Sequence, residues 1–211
     1  MDTQDPRQEI ERLRREIHEH NYRYHVLDAP IISDYEYDRQ MVRLRELEAQ
    51  HPDWITPDSP TQRAGAALTE KFVKVRHPAP ILSLANTFST EDACAWFERV
   101  RRMDSRLDKT AFVVEPKIDG LTVVLHYHNG MFVQGATRGD GEVGEDITAN
   151  LRTVRGIPLR IPISADGPQP PEELVVRGEA YINNRDFDEL NRRLMEAGEK
   201  TYLNPRNTAA G

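Results

Sequence analysis

One cysteine, Cys94, stands among 211 residues. A lone thiol excludes an internal disulfide and any cysteine-based metal site built within one chain, and it fits a reducing compartment such as the cytoplasm. Long apolar runs are missing as well. No stretch approaches the ~20 residues of a membrane span, and the charged, amphipathic first twenty residues do not read as a signal peptide. Internal repeats and long low-complexity tracts are also lacking. So is any excess of positive charge: the formal net charge is −7, which argues against a chain that holds nucleic acid by bulk charge. The acidity is concentrated at one end. Residues 1–70 carry 9 basic and 15 acidic side chains, whereas residues 71–211 carry 19 and 20.

What is present begins with two helical patterns. Pro6 follows Asp5 in the arrangement of a capped first turn, and Ile10, Leu13, Ile17 and Tyr24 then follow one helical stripe. Asp28-Ala29-Pro30 breaks it. Ser33-Asp34-Tyr35-Glu36 reads as a capping box, with the serine capping forward and the glutamate reaching back. Tyr37, Met41 and Leu44 continue the second helix. The spacing predicts a helical hairpin with Tyr24 and His25 at one helix end and Asp34, Tyr37 and Asp38 opening the next. Three prolines in 51–66 read as a linker, and RHPAPILSL, 76–84, as an extended lead into a new region. Residues 90–107 are predicted to be an amphipathic helix with Ala93, Trp96, Phe97, Val100, Met103 and Leu107 turned inward.

From residue 111 the period changes to two. LTVVLHYH-NG-MFVQGATR is a hairpin signal with Asn129-Gly130 at the turn. GDGEVGED, 139–146, is a glycine-rich loop, 147–154 a short helix, and LVVRGEAYI, 174–182, another strand. A helix with Phe187, Leu190 and Leu194 follows, and NPRNTAAG ends the chain as a loop. Strands and helices mix without regular βαβ alternation, so the class is α+β.

The chemistry centres on VVEPKIDG, 113–120. Read as a strand, Glu115, Lys117 and Asp119 share one face, in the manner of a cleft wall. A lysine nucleophile must be neutral, and lysine's reference pKa is ~10.4. Two flanking carboxylates favour the ammonium, so such a lysine needs an opposing cation from elsewhere. Taken singly, each polar cluster has a plain structural explanation. KxDG is a solvated face, ATRGDG with Arg138 a surface turn, Arg177 and Glu179 an ion pair, and Asn204, Arg206 and Asn207 a self-satisfied loop. The glycine-rich loop also lacks the GK[ST] ending of a phosphate-binding P-loop.

In order along the chain, however, EPKIDG, ATRGDGEVGEDIT, VVRGEAYI and YLNPRNTAAG resemble the adenylation domain of bacterial NAD+-dependent DNA ligases. YRYHVLDAPIISDYEYDRQM resembles the N-terminal module of that class, and HPAPILSL its nucleotide-pocket mouth. The resemblance runs from about residue 7 to 211. It implies a small helical-hairpin module that binds nicotinamide mononucleotide (1–60), a linker (61–76), and the N-terminal part of a nucleotidyltransferase domain with an ATP-grasp-like antiparallel sheet (77–211).

It also implies a reaction. Lys117 takes the place of the lysine that forms a covalent lysyl-AMP from NAD+ with release of nicotinamide mononucleotide. The AMP passes to the 5′-phosphate of a DNA nick, and the 3′-hydroxyl seals it. Asp119 matches the acid near the lysine and ribose, Glu115 the acid near adenine, Arg138 and Glu179 the ribose-side contacts, and Ser83 and Leu84 the pocket mouth. Asn204 and Arg206 match a phosphate- or DNA-facing pair. Tyr24, His25, Asp34, Tyr37 and Asp38 match the nicotinamide mononucleotide site, where aromatic faces and acids suit a cationic ring.

NAD+, Mg2+ and nicked double-stranded DNA are the implied ligands, in a cytoplasmic, non-membrane, monomeric protein acting in DNA replication and repair. No metal ligands are expected in this chain. The family's zinc module, its OB-fold and later phosphate-contacting lysines would lie beyond Gly211, so the chain reads as a fragment unable to seal nicks alone. Two alternatives remain: an ATP-dependent nucleotidyltransferase, which would not need the Tyr24–Asp38 group, and a nucleotide-binding or interaction module without turnover.

Overall fold

The computed structural model describes residues 5–25, 27–63, 72–163 and 167–210. Of the linker expected at 61–76, residues 64–71 lie outside the described residues. The chain forms two compact units, one from residues up to Arg76 together with Thr122–Ala180, the other from His77–Leu121 together with Tyr181 onward. Helices and antiparallel strands mix as α+β.

The first unit opens with the expected helical hairpin, α1 (Pro6–His25) and α2 (Asp34–Gln50). Asp5 receives the Arg7 amide at 3.0 Å. The capping box at Ser33 and Glu36 is formed in both directions. Between the helices the chain turns through Asp28, left-handed at φ 49°, a conformation aspartate tolerates better than most side chains. Ile10, Leu13 and Ile17 meet Met41, Leu44 and Leu47 in a buried core, with Tyr37 and Trp54 packed against it. Each fully buried aliphatic side chain of this kind contributes ~1.5–3 kcal/mol. Tyr24 departs from the predicted stripe: it is 51% exposed, and Asn21 is buried in its stead. At that end the hairpin opens on a cavity that Tyr24 lines, so the helices do not close over it.

A polar cluster seals the other end. Glu48, 2% exposed, receives Arg14 Nε at 2.9 Å, Ser59 Oγ at 2.7 Å and the Thr61 hydroxyl. A buried carboxylate survives only with such saturation. Two short 3-10 turns, Pro52–Trp54 and Pro60–Arg63, complete this region.

The rest of the unit is built on strands. β1 (Lys74–Arg76) pairs antiparallel with β4 (Val143–Glu145), and β2 (Leu121–His128) lies between β3 (Met131–Thr137) and β5 (Glu173–Ala180). The β2–β3 hairpin turns at Asn129 and Gly130, with φ 48° and 76°, the double positive φ of a type I′ turn. Val123, Val124 and Leu125 are all buried, so the strand is covered on both faces there. α4 (Thr148–Thr153) lays Leu151 against Gly135. Tyr127, buried and donating to the Pro158 carbonyl at 3.0 Å, has its phenol pKa pushed up to about 12 by burial.

The second unit holds α3 (Thr90–Met103), a 3-10 turn at Ser105–Lys109, α5 (Asn184–Glu196) and α6 (Pro205–Ala210). Ser89 caps α3 by accepting the Asp92 amide at 3.1 Å. The predicted inward face of α3 is only partly covered. Phe97, Val100 and Leu107 are half-buried, whereas Ala93, Trp96 and Met103 are exposed. The strand expected from residue 111 begins at Leu121; residues 111–119 have no ladder partner. Pro116, without an N–H, has no donor for one. The predicted loop at the end of the chain is instead the short helix α6.

Candidate functional site

The last turn of α1 and the first turns of α2 face a cavity of about 270 Å³. Helical geometry sets its lining. Asp34, Tyr37 and Asp38, spaced by three and four, share one face of α2, and the capping box fixes where that face starts. Tyr24 and His25 arrive from α1, their rings edge-to-face at 4.8 Å. All five residues expected from the sequence line this one cavity.

Its polar groups are unevenly satisfied. The Tyr37 hydroxyl donates to Asn21 Oδ1 at 2.9 Å. Asn21 Nδ2 and His20 Nδ1, both buried, find no acceptor among the described residues. Burial first, then the guanidiniums of Arg155 and Arg63, hold the His25 pKa below the usual histidine value. The cavity thus offers aromatic faces, two carboxylates, the imidazoles of His20 and His25, and one arginine, Arg155. Sequence reasoning missed His20, Asn21 and Arg155. Asn21 was within reach, lying one turn beyond Ile17 on the buried stripe. Arg155, some 130 positions from Tyr24, left no local signal.

A second constellation lies on the sheet of the same unit. The Arg138 amide donates to the Thr122 carbonyl at 3.3 Å, and the Thr122 hydroxyl donates to Glu179 at 2.9 Å. Thr122 therefore joins Arg138 and Glu179 across three strands. The adjoining glycine-rich loop is closed on itself: Asp140 Oδ1 accepts the amides of Glu142 and Val143 at 2.9 and 2.8 Å. Gly139 is required there, because at φ 58° a Cβ would stand 1.8 Å from the Val143 carbonyl oxygen.

The remaining candidates belong to the other unit. Glu115, Lys117 and Asp119 are all exposed on the irregular segment that precedes β2, and do not form the strand face expected of them. Asp119 pairs with Arg206 at 3.4 Å. Asn204 caps α6 by accepting the Asn207 amide at 2.8 Å, so its side chain is engaged locally. Glu115 and Lys117 have no hydrogen bond or ion pair with a described residue. Ser83 and Leu84 are exposed on the extended stretch before α3. Among the described residues no three His, Cys, Asp or Glu side chains converge as a metal site, and no helix is long and apolar enough to cross a membrane.

Comparison with known proteins accounts for both halves of the chain. Residues 3–65 match the family described as DNA ligase-like, N-terminal NAD+-binding domain, and residues 69–211 match NAD-dependent DNA ligase adenylation domain. Among curated relatives, the DNA ligase of Roseiflexus castenholzii is 55% identical over 100% of this chain and 30% of its own length. That of Chloroflexus aggregans is 54% identical over 100% of this chain and 32% of its own. The Myxococcus xanthus DNA ligase is 51% identical over 94% of this chain and 29% of its own. The chain belongs to the NAD-dependent DNA ligase family, and it spans about 30% of the length of these relatives.

Proposed function

We propose that this chain carries the nucleotide-handling part of NAD+-dependent DNA ligation. The observation that supports this most is the single cavity that collects Tyr24, His25, Asp34, Tyr37 and Asp38. In this reading residues 1–60 form the module that takes the nicotinamide mononucleotide half of NAD+. Aromatic faces attract a pyridinium cation at ~0.5–2 kcal/mol per good contact, and Asp34 and Asp38 complement its charge. The linker at 61–76 joins this module to the adenylation part at 77–211. Ser83, Leu84, Glu115, Arg138 and Glu179 meet the adenosine half there.

Lys117 is the nucleophile. Its neutral Nζ attacks the adenylate phosphorus, a P–N bond forms, the P–O bond to the pyrophosphate bridge breaks, and nicotinamide mononucleotide leaves with the electron pair. Asp119 positions the lysine and ribose. AMP then passes to the 5′-phosphate of a nick, and the 3′-hydroxyl displaces it, with Asn204 and Arg206 toward phosphate or DNA. Such chemistry belongs to DNA replication and repair in the cytoplasm, in a monomeric protein acting on nicked duplex. Family chemistry of this kind uses Mg2+ with the dinucleotide's phosphates; the described residues form no cage for it.

No described cation pairs against Lys117, so the chain by itself binds the dinucleotide more readily than it turns it over, and it seals no nicks alone. Intact mass after incubation with NAD+ and Mg2+ tests the assignment. A slow AMP adduct, stable to denaturation and lost in Lys117→Arg, is expected. An adduct that persists in Lys117→Arg contradicts it.

A further inference from the structure

Thr122 stands near the start of β2, the middle strand of its sheet, with Arg138 just after β3 on one side and Glu179 near the end of β5 on the other. It meets each neighbour with a different group. Its carbonyl accepts the Arg138 amide at 3.3 Å, and its hydroxyl donates to Glu179 Oε2 at 2.9 Å. Successive side chains of a strand point to opposite faces, and the neighbouring residues agree with this. A Cβ placed on Gly178 would lie 3.6 Å from Val123 Cγ2, so Gly178 and Val123 share one face while Thr122 and Glu179 share the other. Thr122, Arg138 and Glu179 are all half-buried, and all three belong to one compact unit.

In the run Leu121–Leu125 Thr122 is the only polar side chain. Valine has the same shape and an equal liking for strands, so packing alone gives no reason for a hydroxyl there. The hydroxyl supplies a donor aimed at a carboxylate, a charge-assisted bond stronger than a neutral one. A glutamate fixed on a ligand loses much of its rotamer freedom, and a donor already in place sets the orientation beforehand, which lowers that cost. Threonine suits the task. Two heavy atoms on its Cβ restrict χ1, so its hydroxyl has little freedom of its own. Through its carbonyl the same residue anchors the backbone from which Arg138 projects.

We propose that Thr122 is a positioning residue for the adenosine half of the dinucleotide. Its hydroxyl holds the Glu179 carboxylate, and its carbonyl the Arg138 backbone, in the arrangement that meets the ribose hydroxyls. The proposal rests on the reading that Arg138 and Glu179 contact that ribose.

The test is a calorimetric titration of the whole chain with adenosine monophosphate and, in parallel, with its 2′,3′-dideoxy counterpart, which keeps the base and phosphate but offers no ribose hydroxyls. Thr122→Val keeps the shape and removes only the donor. It is expected to weaken adenosine monophosphate binding by roughly tenfold and to leave binding of the dideoxy compound unchanged. Thr122→Ser, which restores the donor, is expected to recover most of the loss. Equal weakening of both ligands in Thr122→Val would show a merely structural role and overturn the proposal. Unchanged adenosine monophosphate binding, or a serine variant as weak as the valine one, would overturn it too; in each of these cases the ribose reading stands. A wild-type chain that binds the two nucleotides equally, or binds neither, would overturn the ribose reading itself and the proposal with it.

Discussion

The Tyr37 hydroxyl donates to Asn21 Oδ1 at 2.9 Å, tying the start of α2 to the last turns of α1 at the floor of the cavity. Tyr37→Phe removes the donor and leaves a buried amide with both ends unpaired, a cost of ~1–3 kcal/mol. Urea unfolding should show a loss in that range, and NAD+ binding should weaken.

Glu48 is a buried acid that accepts from Arg14, Ser59 and Thr61. Glu48→Ala leaves the partly buried Arg14 without its carboxylate and strips the hydroxyls of Ser59 and Thr61 of their acceptor. Breaking one side of a buried pair costs ~3–5 kcal/mol. Denaturant midpoints should fall accordingly, far more than for Arg192→Ala on α5, whose partners Glu189 and Glu196 are exposed.

Two histidines set a pH window. Burial holds His18 below the usual histidine pKa, with Asp58 opposing, and His25 is lowered by burial and two arginines. A lowered histidine pKa means that the unfolded chain binds the proton first. The associated stability is complete above pH ~6.5, the unfolded value, and is lost as pH falls through the folded values. Unfolding midpoints should decline from pH 7.5 toward 5.5, and His18→Gln should flatten that decline. The lowered carboxylates Glu9, Asp58 and Asp146 act in the same direction but only at lower pH.

Gly139→Ala forces a Cβ onto the Val143 carbonyl at a left-handed position. The conformation alone costs ~1–2 kcal/mol, and the clash adds to it. Gly156→Ala, with open space around it, serves as the control. Thermal melting should separate the two clearly.

Much of this was legible in the sequence because the signals were local. The capping box, the 10–13–17 and 41–44 stripes and the Asn129-Gly130 turn each depend on neighbours within a few residues. The five cavity residues were singled out by the resemblance to the ligases' N-terminal module; helix periodicity by itself placed them only at facing ends of one hairpin. Three features were not legible. Tyr24 sits on the right stripe but at an open end, and periodicity does not say where a core stops. Glu115, Lys117 and Asp119 alternate as a strand would, yet alternation alone provides no ladder partner. Arg155 enters through a clasp between 57–63 and 152–160, a long-range arrangement of arginines on backbone carbonyls that no short window encodes.

The measurement that bears most directly on the central claim is a calorimetric titration of the chain with NAD+, run beside ATP, on wild type and on Tyr24→Ala. The account predicts that NAD+ binds, that the mutant binds it more weakly, and that ATP is weaker or silent. ATP binding alone, or NAD+ binding indifferent to Tyr24, would contradict it.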